Sequence, residues 1–384
     1  MSLILLPLLI ATINFIYRKK SRPMLLIFSI FSLFYLNVRG WLLDLGIYNK
    51  YAYLNPSVNL YNVNDFYHLN FIIFASVLLV YFAYCTSSNV KFKILPMENL
   101  NFNRMEILIG LLLSFCIGIV YKPIVLFFSI YCFCYLFLMR KKTSLFFIVI
   151  IFIYLIFYTD DRRDFLAFLL MVMFLVIRNR NILKVKNLVY GLISVVGITI
   201  TSVILRGGGD NVELMYNNPQ VIFSILEVET DFSIVYDDLI YLLDQINSGS
   251  LEFLYGITLV KPLLYIFPNG LLFDKPESFS VIYAKVLNPW FYQIGGSQPA
   301  TFVGEIIWNL GFLSIFGFIA LGIFLSRFDY LTLKYSDNHS TQSLACSLFC
   351  IMFSILRGPL DTFVLSILFL YLIIFVMFLV NRIR

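Results

Sequence analysis

The sequence predicts an all-α polytopic membrane protein with about 11 transmembrane helices, which form a single transmembrane domain over residues 1–384. Hydrophobic residues make up 60% of the chain and charged residues only 13%, whereas a water-soluble surface needs roughly a quarter of its residues charged. The apolar residues also fall in long blocks, many of them near the roughly 20 residues that cross a hydrocarbon core as a helix. These two features exclude a water-soluble protein.

Each predicted span is an apolar block bounded by charged residues or helix breakers. The spans cover residues 2–17, 23–38, 67–86, 105–120, 123–139, 144–158, 164–177, 188–205, 301–326, 342–356 and 362–380. The first block has the length of a signal peptide, but its positive cluster, Arg18 to Arg22, follows the apolar run instead of preceding it. That order predicts a retained first helix with its N-terminus outside.

Lysine and arginine are concentrated on one side of these spans. If the cluster from Arg18 to Arg22 is cytoplasmic, the segments on that side hold 18 of the 28 Lys and Arg residues. Short loops rich in Lys and Arg stay on the cytoplasmic side of a membrane. The sequence therefore predicts an N-terminus outside and a C-terminus inside, and its net charge of +6 reflects this topology and not nucleic-acid binding.

Two segments on the outer side are longer than a simple connection. Residues 39–66 form the first outer loop, and residues 206–300 form a large outer loop that is predicted to contain short helices. Within it, residues 255–273 are apolar but interrupted by prolines and by Lys261, which favours an interfacial helix or a re-entrant segment over a further span. The sequence contains no phosphate-binding loop motif for ATP, which disfavours an ATP-driven pump.

Three arginines are each followed by glycine where an outward-going helix is predicted to end. They are Arg39, Arg206 and Arg357. A cation at a helix C-terminus complements the helix dipole and a glycine can form the cap, so this pattern has a purely structural interpretation. The alternative is that these arginines bind an anionic ligand at the outer face, and the sequence leaves both interpretations open.

The stretch YTDDRRDF at residues 158–165 forms a predicted hairpin between two spans on the outer side. Its aspartates can cap the helix that follows. Arg162 and Arg163 are not explained in this way, because a cation opposes the dipole at a helix N-terminus. They either pair with the neighbouring aspartates or bind phosphate oxygens of a ligand, for which the planar guanidinium is a bidentate donor.

Two side chains on the outer side are candidates for a general base. His68 lies at the outer mouth of the third span, and an imidazole can take up a proton near neutral pH. The alternative for His68 is a hydrogen bond to the first outer loop. Glu305 lies a few residues into a span that begins at the outer face, where an acid is paired or functional, or where it complements the helix dipole.

Together these motifs resemble the O-antigen polymerase family, the oligosaccharide repeat-unit polymerases of bacterial inner membranes. The matching regions are DDRRDFLAFLL (160–170), LRGGGD (205–210), IFPNGLLFDKPESFS (266–280) with GGSQPATFVGEIIWNLGFLSIFGFIALG (295–322), and ILRGPLD (355–361). Asn269 departs from the family pattern, in which an Arg is common at that position. The resemblance covers roughly residues 158–361 and depends on the order of the motifs and their placement on one membrane face.

The resemblance implies a GT-C-like helical membrane fold and a glycosyltransferase activity. Relatives transfer a glycan from undecaprenyl diphosphate onto the next lipid-linked repeat unit, at the periplasmic face of the bacterial inner membrane. No metal, cofactor or nucleic acid is implied. The implied partners are undecaprenyl-diphosphate-linked oligosaccharide, membrane lipid and a chain-length regulator protein.

Such a reaction needs cations that stabilise the departing diphosphate and a base that accepts the proton of the acceptor hydroxyl. The predicted diphosphate ligands, expected to converge on one outward-facing cavity, are Arg162, Arg163, Arg206 and Arg357. The predicted base is Glu305, ahead of His68. Glu305 lies in the stretch that resembles the family, whereas His68 lies outside it.

The sequence leaves two other functions open. A polysaccharide flippase or transporter would place charges in the middle of the membrane and would show two related halves, whereas the charges here cluster at one face. An O-antigen ligase shares the large outer loop but acts on the lipid A core, and the sequence does not separate it from a polymerase.

Overall fold

The computed structural model describes residues 9, 12, 22–44, 63–87, 102–157, 162–178, 231–264, 275–293, 295–298, 300–334 and 338–383. Every regular element among these residues is a helix, and none of them forms a strand, which confirms the predicted all-α class. The predicted span over residues 188–205 and nearly all of the span over residues 2–17 lie outside the described residues.

The first group of helices lies in the N-terminal half of the chain. α1 (Pro23–Leu33) continues through a π-helical stretch (Phe34–Val38) into α2 (Arg39–Asp44). The helices that follow are α3 (Val63–Ser87), α4 (Arg104–Gly118), α5 (Pro123–Leu138), α6 (Ser144–Phe157) and α7 (Arg162–Arg178).

Four further helices precede the last long ones. They are α8 (Asp231–Asn247) and the three short helices α9 (Ile257–Leu264), α10 (Phe279–Leu287) and α11 (Pro289–Gln293). The chain then forms α12 (Thr301–Leu310), a 3₁₀ turn (Gly311–Leu313), α13 (Ser314–Lys334), α14 (His339–Arg357) and α15 (Leu360–Ile383).

Five of the described helical segments are long and apolar enough to cross a membrane. They are Pro23–Trp41, His68–Ser87, Thr301–Lys334, His339–Arg357 and Val364–Arg382. Large apolar side chains also face outward from the bundle, such as Leu112 on α4 and Phe316 on α13, and such a perimeter suits hydrocarbon better than water. These features confirm the predicted membrane character of the chain.

Two helical segments are longer than the sequence predicts. Thr301–Lys334 spans 34 residues, or about 50 Å at 1.5 Å per residue, against a hydrocarbon core of about 30 Å. The 3₁₀ turn divides it, and Gly311 has a φ of +53°, a conformation that favours glycine. The helix that begins at Pro23 continues past the predicted end at residue 38 to Asp44.

The helix α14 forms the centre of the bundle, where it contacts α1, α5, α7 and α15. Small polar side chains allow α5 to approach it closely. Ser340 Oγ lies 2.7 Å from Tyr131 Oη, and Ser347 Oγ donates a hydrogen bond to the carbonyl oxygen of Phe127 at 3.2 Å. Because the earlier residue of α5 pairs with the later residue of α14, the two helices run antiparallel.

Asp329, near the C-terminus of α13, organises one end of the bundle, which we call the Asp329 end. Its Oδ1 accepts a hydrogen bond from the backbone N–H of Met24 at 2.8 Å, and its Oδ2 accepts one from that of Leu25 at 3.1 Å. Tyr84 Oη donates to Oδ2 at 2.8 Å. The buried carboxylate of Asp329 therefore caps the first turn of α1, whose first residue, Pro23, has no N–H.

Of the Arg-Gly pairs predicted to close helices, one is confirmed and one is wrong. α14 ends at Arg357, and Gly358 follows with a φ of +82°. At Arg39 the helix continues through Gly40 to Asp44. Gly40 instead makes room for a neighbour, because a Cβ there would lie 2.6 Å from Tyr236 Oη. The third pair, at Arg206, lies outside the described residues.

Replacing Asp329 with Ala should lower the free energy of unfolding in detergent by at least about 2 kcal/mol, because a buried donor left without its acceptor costs about 1–3 kcal/mol. Asp329→Asn should lower the free energy of unfolding less, since the amide keeps one acceptor oxygen for the N-terminus of α1. The matched control is Glu277→Ala, which removes an exposed acid paired with Lys285 at 3.3 Å and should change little. Equal decreases in the free energy of unfolding of Asp329→Ala and Glu277→Ala would contradict the capping role of Asp329.

Candidate functional site

Buried and partly buried charged side chains collect at the opposite end of the bundle, which we call the Glu305 end, where α12 and α15 begin and α14 ends. The helices α8 and α9 pack against this end. We call this set the charged cluster; its members are Arg39, Asp237, Asp238, Lys261, Glu305, Arg357 and Asp361. Charged groups buried at the end of an apolar bundle are costly unless they are paired, and such groups often mark a functional site.

The first part of the charged cluster joins α2 to α8. Arg39 is buried and forms an ion pair with Asp237, with Nη2 3.3 Å from Oδ2 and Nε 3.4 Å from Oδ1. Two of the three guanidinium nitrogens thus face the two oxygens of one carboxylate, a bidentate geometry that fixes orientation. The neighbouring Tyr236 donates a hydrogen bond to Asn70 Oδ1 at 2.6 Å, which ties α8 to α3 as well.

The second part surrounds Asp238, the next residue of α8, whose carboxyl is also buried. Gln298 Nε2 lies 3.5 Å from Asp238 Oδ1, and Asn288 Nδ2 donates to Gln298 Oε1 at 2.9 Å. The hydroxyl of Tyr283 donates to the carbonyl oxygen of Asp238 at 3.0 Å. Arg357 at the end of α14 acts electrostatically on the carboxyl of Asp238.

Burial shifts the titration of both acids of α8. It raises the pKa of Asp237 to about 6, although the positive charge of Arg39 opposes the shift. Burial, together with the negative charge of Asp237, raises the pKa of Asp238 well above its usual range, although Arg357 opposes this shift. Positive charges from two different helices, Arg39 on α2 and Arg357 on α14, thus oppose the effect of burial on these adjacent carboxyls.

The third part joins α9 to α15. Lys261 Nζ on α9 lies 2.8 Å from Asp361 Oδ2 in the first turn of α15, and both side chains are buried. An acid in that first turn also complements the dipole of α15. The ion pair therefore fixes the short helix α9 against the start of the last long helix.

Glu305 completes the connection between α9, α12 and α15. Its Oε2 accepts a hydrogen bond from the backbone N–H of Leu360 at 2.7 Å, and its Oε1 accepts one from Thr258 Oγ1 at 3.1 Å. Asn309 Nδ2 donates to Thr258 Oγ1 at 2.7 Å and to the carbonyl oxygen of Glu305 at 2.8 Å. Glu305 has no exposed surface, and its carboxylate caps the first residue of α15.

The structure brings some of the predicted site residues to this end of the bundle. Arg357 and Glu305 belong to the charged cluster. His68 is exposed on α3, two residues before Asn70, which contacts α8. The backbone of Arg162 and Arg163 begins α7, but their side chains, and the whole of Arg206, lie outside the described residues. The convergence of the four arginines therefore stays a prediction.

The sequence did not single out four members of the charged cluster as site residues: Asp237, Asp238, Lys261 and Asp361. Two consecutive acids inside the otherwise apolar stretch FSIVYDDLIYLL are the signal that could have revealed the first pair. In the sequence, Lys261 stands out only as an interruption of an apolar segment. Among the described residues, no group of three His, Cys, Asp or Glu side chains could hold a metal ion.

The raised pKa of Asp237 predicts a pH effect with a definite sign. The folded state binds the proton of this carboxyl more tightly than the unfolded chain does, so the contribution of Asp237 to stability falls as pH rises from about 4 to about 6. In Asp237→Asn, the unfolding midpoint in detergent should therefore decline less across this window than in the wild type. Glu277→Gln, at an exposed acid, is the control; a pH slope in Asp237→Asn equal to the wild-type slope would contradict the prediction.

Comparisons with known proteins do not add to this geometry. No protein-family model, no curated protein and no solved structure matches the chain. The charged cluster, the membrane character of the helices and the sequence motifs are the features that bear on function.

Proposed function

We propose that the chain is a metal-independent membrane glycosyltransferase that polymerises oligosaccharide repeat units linked to undecaprenyl diphosphate. The product is O-antigen or a related surface polysaccharide, made at the periplasmic face of the bacterial inner membrane. The proposal includes a GT-C-like fold with about 11 spans, a periplasmic N-terminus and a cytoplasmic C-terminus. In this topology the Glu305 end of the bundle faces the periplasm.

The observation that supports this function best is the convergence of Arg39, Lys261 and Arg357 at one end of the bundle. The three cations come from α2, α9 and α14, which are far apart in the sequence, and each lies near an acid of another helix. Their common position is at the end of membrane-type helices, where the diphosphate of a lipid-linked sugar would lie. A substrate that is half lipid and half glycan fits a charged site in such a position.

In the proposed reaction, a hydroxyl of the acceptor sugar attacks the anomeric carbon of the donor glycan. The bond between that carbon and the diphosphate oxygen breaks, and the electron pair leaves with the diphosphate. The guanidinium of Arg357 is suited to bind the departing oxygens because it offers a planar pair of donors. Arg162, Arg163 and Arg206 remain the other proposed ligands of the diphosphate.

The proton of the attacking hydroxyl needs an acceptor within hydrogen-bond reach. The two proposed bases differ in access. Both carboxylate oxygens of Glu305 already accept hydrogen bonds, and the side chain is completely buried. A sugar hydroxyl therefore reaches this carboxylate only if α9 or the start of α15 moves. His68 is exposed, and this difference supports His68 as the base in the arrangement described.

The proposal predicts that Arg357→Ala abolishes polymer in cells that carry only the variant gene, while protein abundance in the membrane stays close to the wild-type level. Arg357→Lys should restore little, because an ammonium lacks the bidentate fork. The measurement is the length distribution of surface polysaccharide on a gel, with immunoblotting of the membrane fraction. Lys285→Ala is the matched control, since this exposed cation pairs with Glu277 outside the charged cluster.

Deletion of the gene separates the polymerase from its alternatives. If the protein is a polymerase, the deletion strain loses the polysaccharide ladder and keeps single capped repeat units. If it is a ligase, the strain loses all capping. If it is a flippase, the repeat unit accumulates on the inner leaflet. Full-length polymer in the Arg357→Ala strain would contradict the proposed role of the arginine. Single capped units absent from the deletion strain would contradict the polymerase itself.

A further inference from the structure

The helix α9 shows an inverted distribution of polar and apolar side chains. Its polar residues, Thr258 and Lys261, are buried against the bundle. Its apolar residues Ile257, Val260 and Leu263 are 49%, 48% and 60% exposed. A spacing of three residues places all three on one side of a helix. A helix on a water-facing surface shows the opposite arrangement, with polar side chains outward.

The orientation of Lys261 strengthens this observation. A lysine on a water-facing helix extends its ammonium group into solvent while its methylene groups cover apolar surface. Lys261 instead turns its ammonium group inward to Asp361 at 2.8 Å. The exposed side chains from residue 255 to residue 264 belong to Tyr255, Ile257, Val260 and Leu263, so no charged group faces outward along this segment.

The exposed face of α9 continues the apolar perimeter of the long span. The backbone N–H of Gly256 donates a hydrogen bond to the carbonyl oxygen of Asn309 at 3.0 Å, which places the start of α9 beside the end of α12. Phe312, three residues further on, is 94% exposed, and Phe316 follows one turn later on α13. The apolar surface of α9 and that of the membrane-type span therefore adjoin each other.

We infer that α9 lies within one leaflet of the bilayer, with Ile257, Val260 and Leu263 in contact with lipid acyl chains. Its eight residues extend about 12 Å, too short to cross a core of about 30 Å. The polar side of α9 meanwhile separates Glu305 and Asp361 from the lipid. This contact with the bilayer is separate from the proposed glycosyl transfer and does not depend on it.

The test is a depth measurement by spin labelling of the full-length protein in phosphatidylcholine–phosphatidylglycerol vesicles. Single cysteines replace Val260 or Leu263 in a background that carries Cys85→Ser and Cys116→Ser, the two exposed native cysteines. Collision with molecular oxygen, which concentrates in hydrocarbon, is compared with collision with a water-soluble nickel chelate. Phe316→Cys is the lipid-facing reference and Ser250→Cys the water-facing reference.

The inference predicts that labels at both positions collide several-fold more with oxygen than with the nickel chelate, as at Phe316. A ratio nearer to that at Ser250 would overturn it, because α9 would then lie in water. Shielding from both reagents would also overturn it, because another part of the protein or a second copy would then cover the face. If either variant fails to fold, Ile257→Cys provides the same comparison from the same face. The outcome does not depend on glycosyl transfer, so it is separable from the test of the proposed function.

Discussion

A buried carboxylate in an apolar bundle must be surrounded by hydrogen-bond donors, and this constraint organises both ends of the protein. The long span from Thr301 to Lys334 contains two such carboxylates, Glu305 near its start and Asp329 near its end. Each accepts hydrogen bonds from the first turn of a neighbouring helix, Asp329 from α1 and Glu305 from α15. A helix N-terminus offers unpaired N–H groups and a partial positive charge. Each carboxylate therefore accepts hydrogen bonds from the N–H groups of a helix that begins at its own end of the bundle.

The two ends differ in what is built on this arrangement. At the Asp329 end, the carboxylate, Tyr84 and the start of α1 form a compact contact. At the Glu305 end, α8 adds Asp237 and Asp238, α9 adds Lys261, and the end of α14 adds Arg357. Among the described residues, buried charged side chains are therefore more numerous at the Glu305 end, where the chain departs from simple membrane-crossing helices. That asymmetry is why the proposed function is assigned to the Glu305 end, and the inferred lipid contact of α9 places the charged cluster beside the bilayer.

The sequence predicted the helical class and most helical segments because apolar length is a local property of the chain. The contacts that organise the ends were not predictable in this way, since Met24 and Asp329 are 305 residues apart and Arg39 and Asp237 are 198 residues apart. The Arg39–Gly40 pair shows the difference clearly. Its local pattern indicates a helix end, but a distant carboxylate pairs with the arginine and a distant tyrosine packs over the glycine, so the helix continues. The sequence predicts Arg357 and Glu305 as site residues, whereas the capping role of Glu305 depends on the position of α15.

The most direct test of this account compares the unfolding midpoints of the wild type, Glu305→Gln and Glu305→Ala in the same detergent. The glutamine keeps an acceptor oxygen for the N–H of Leu360 and a polar group for Thr258, so its midpoint should lie close to that of the wild type. The alanine leaves both groups buried without their partner, and a buried unsatisfied group costs about 1–3 kcal/mol, so its midpoint should fall clearly. A wild-type midpoint in the alanine variant, or an equal fall in both variants, would contradict the claim that capping of α15 by this carboxylate holds the Glu305 end together.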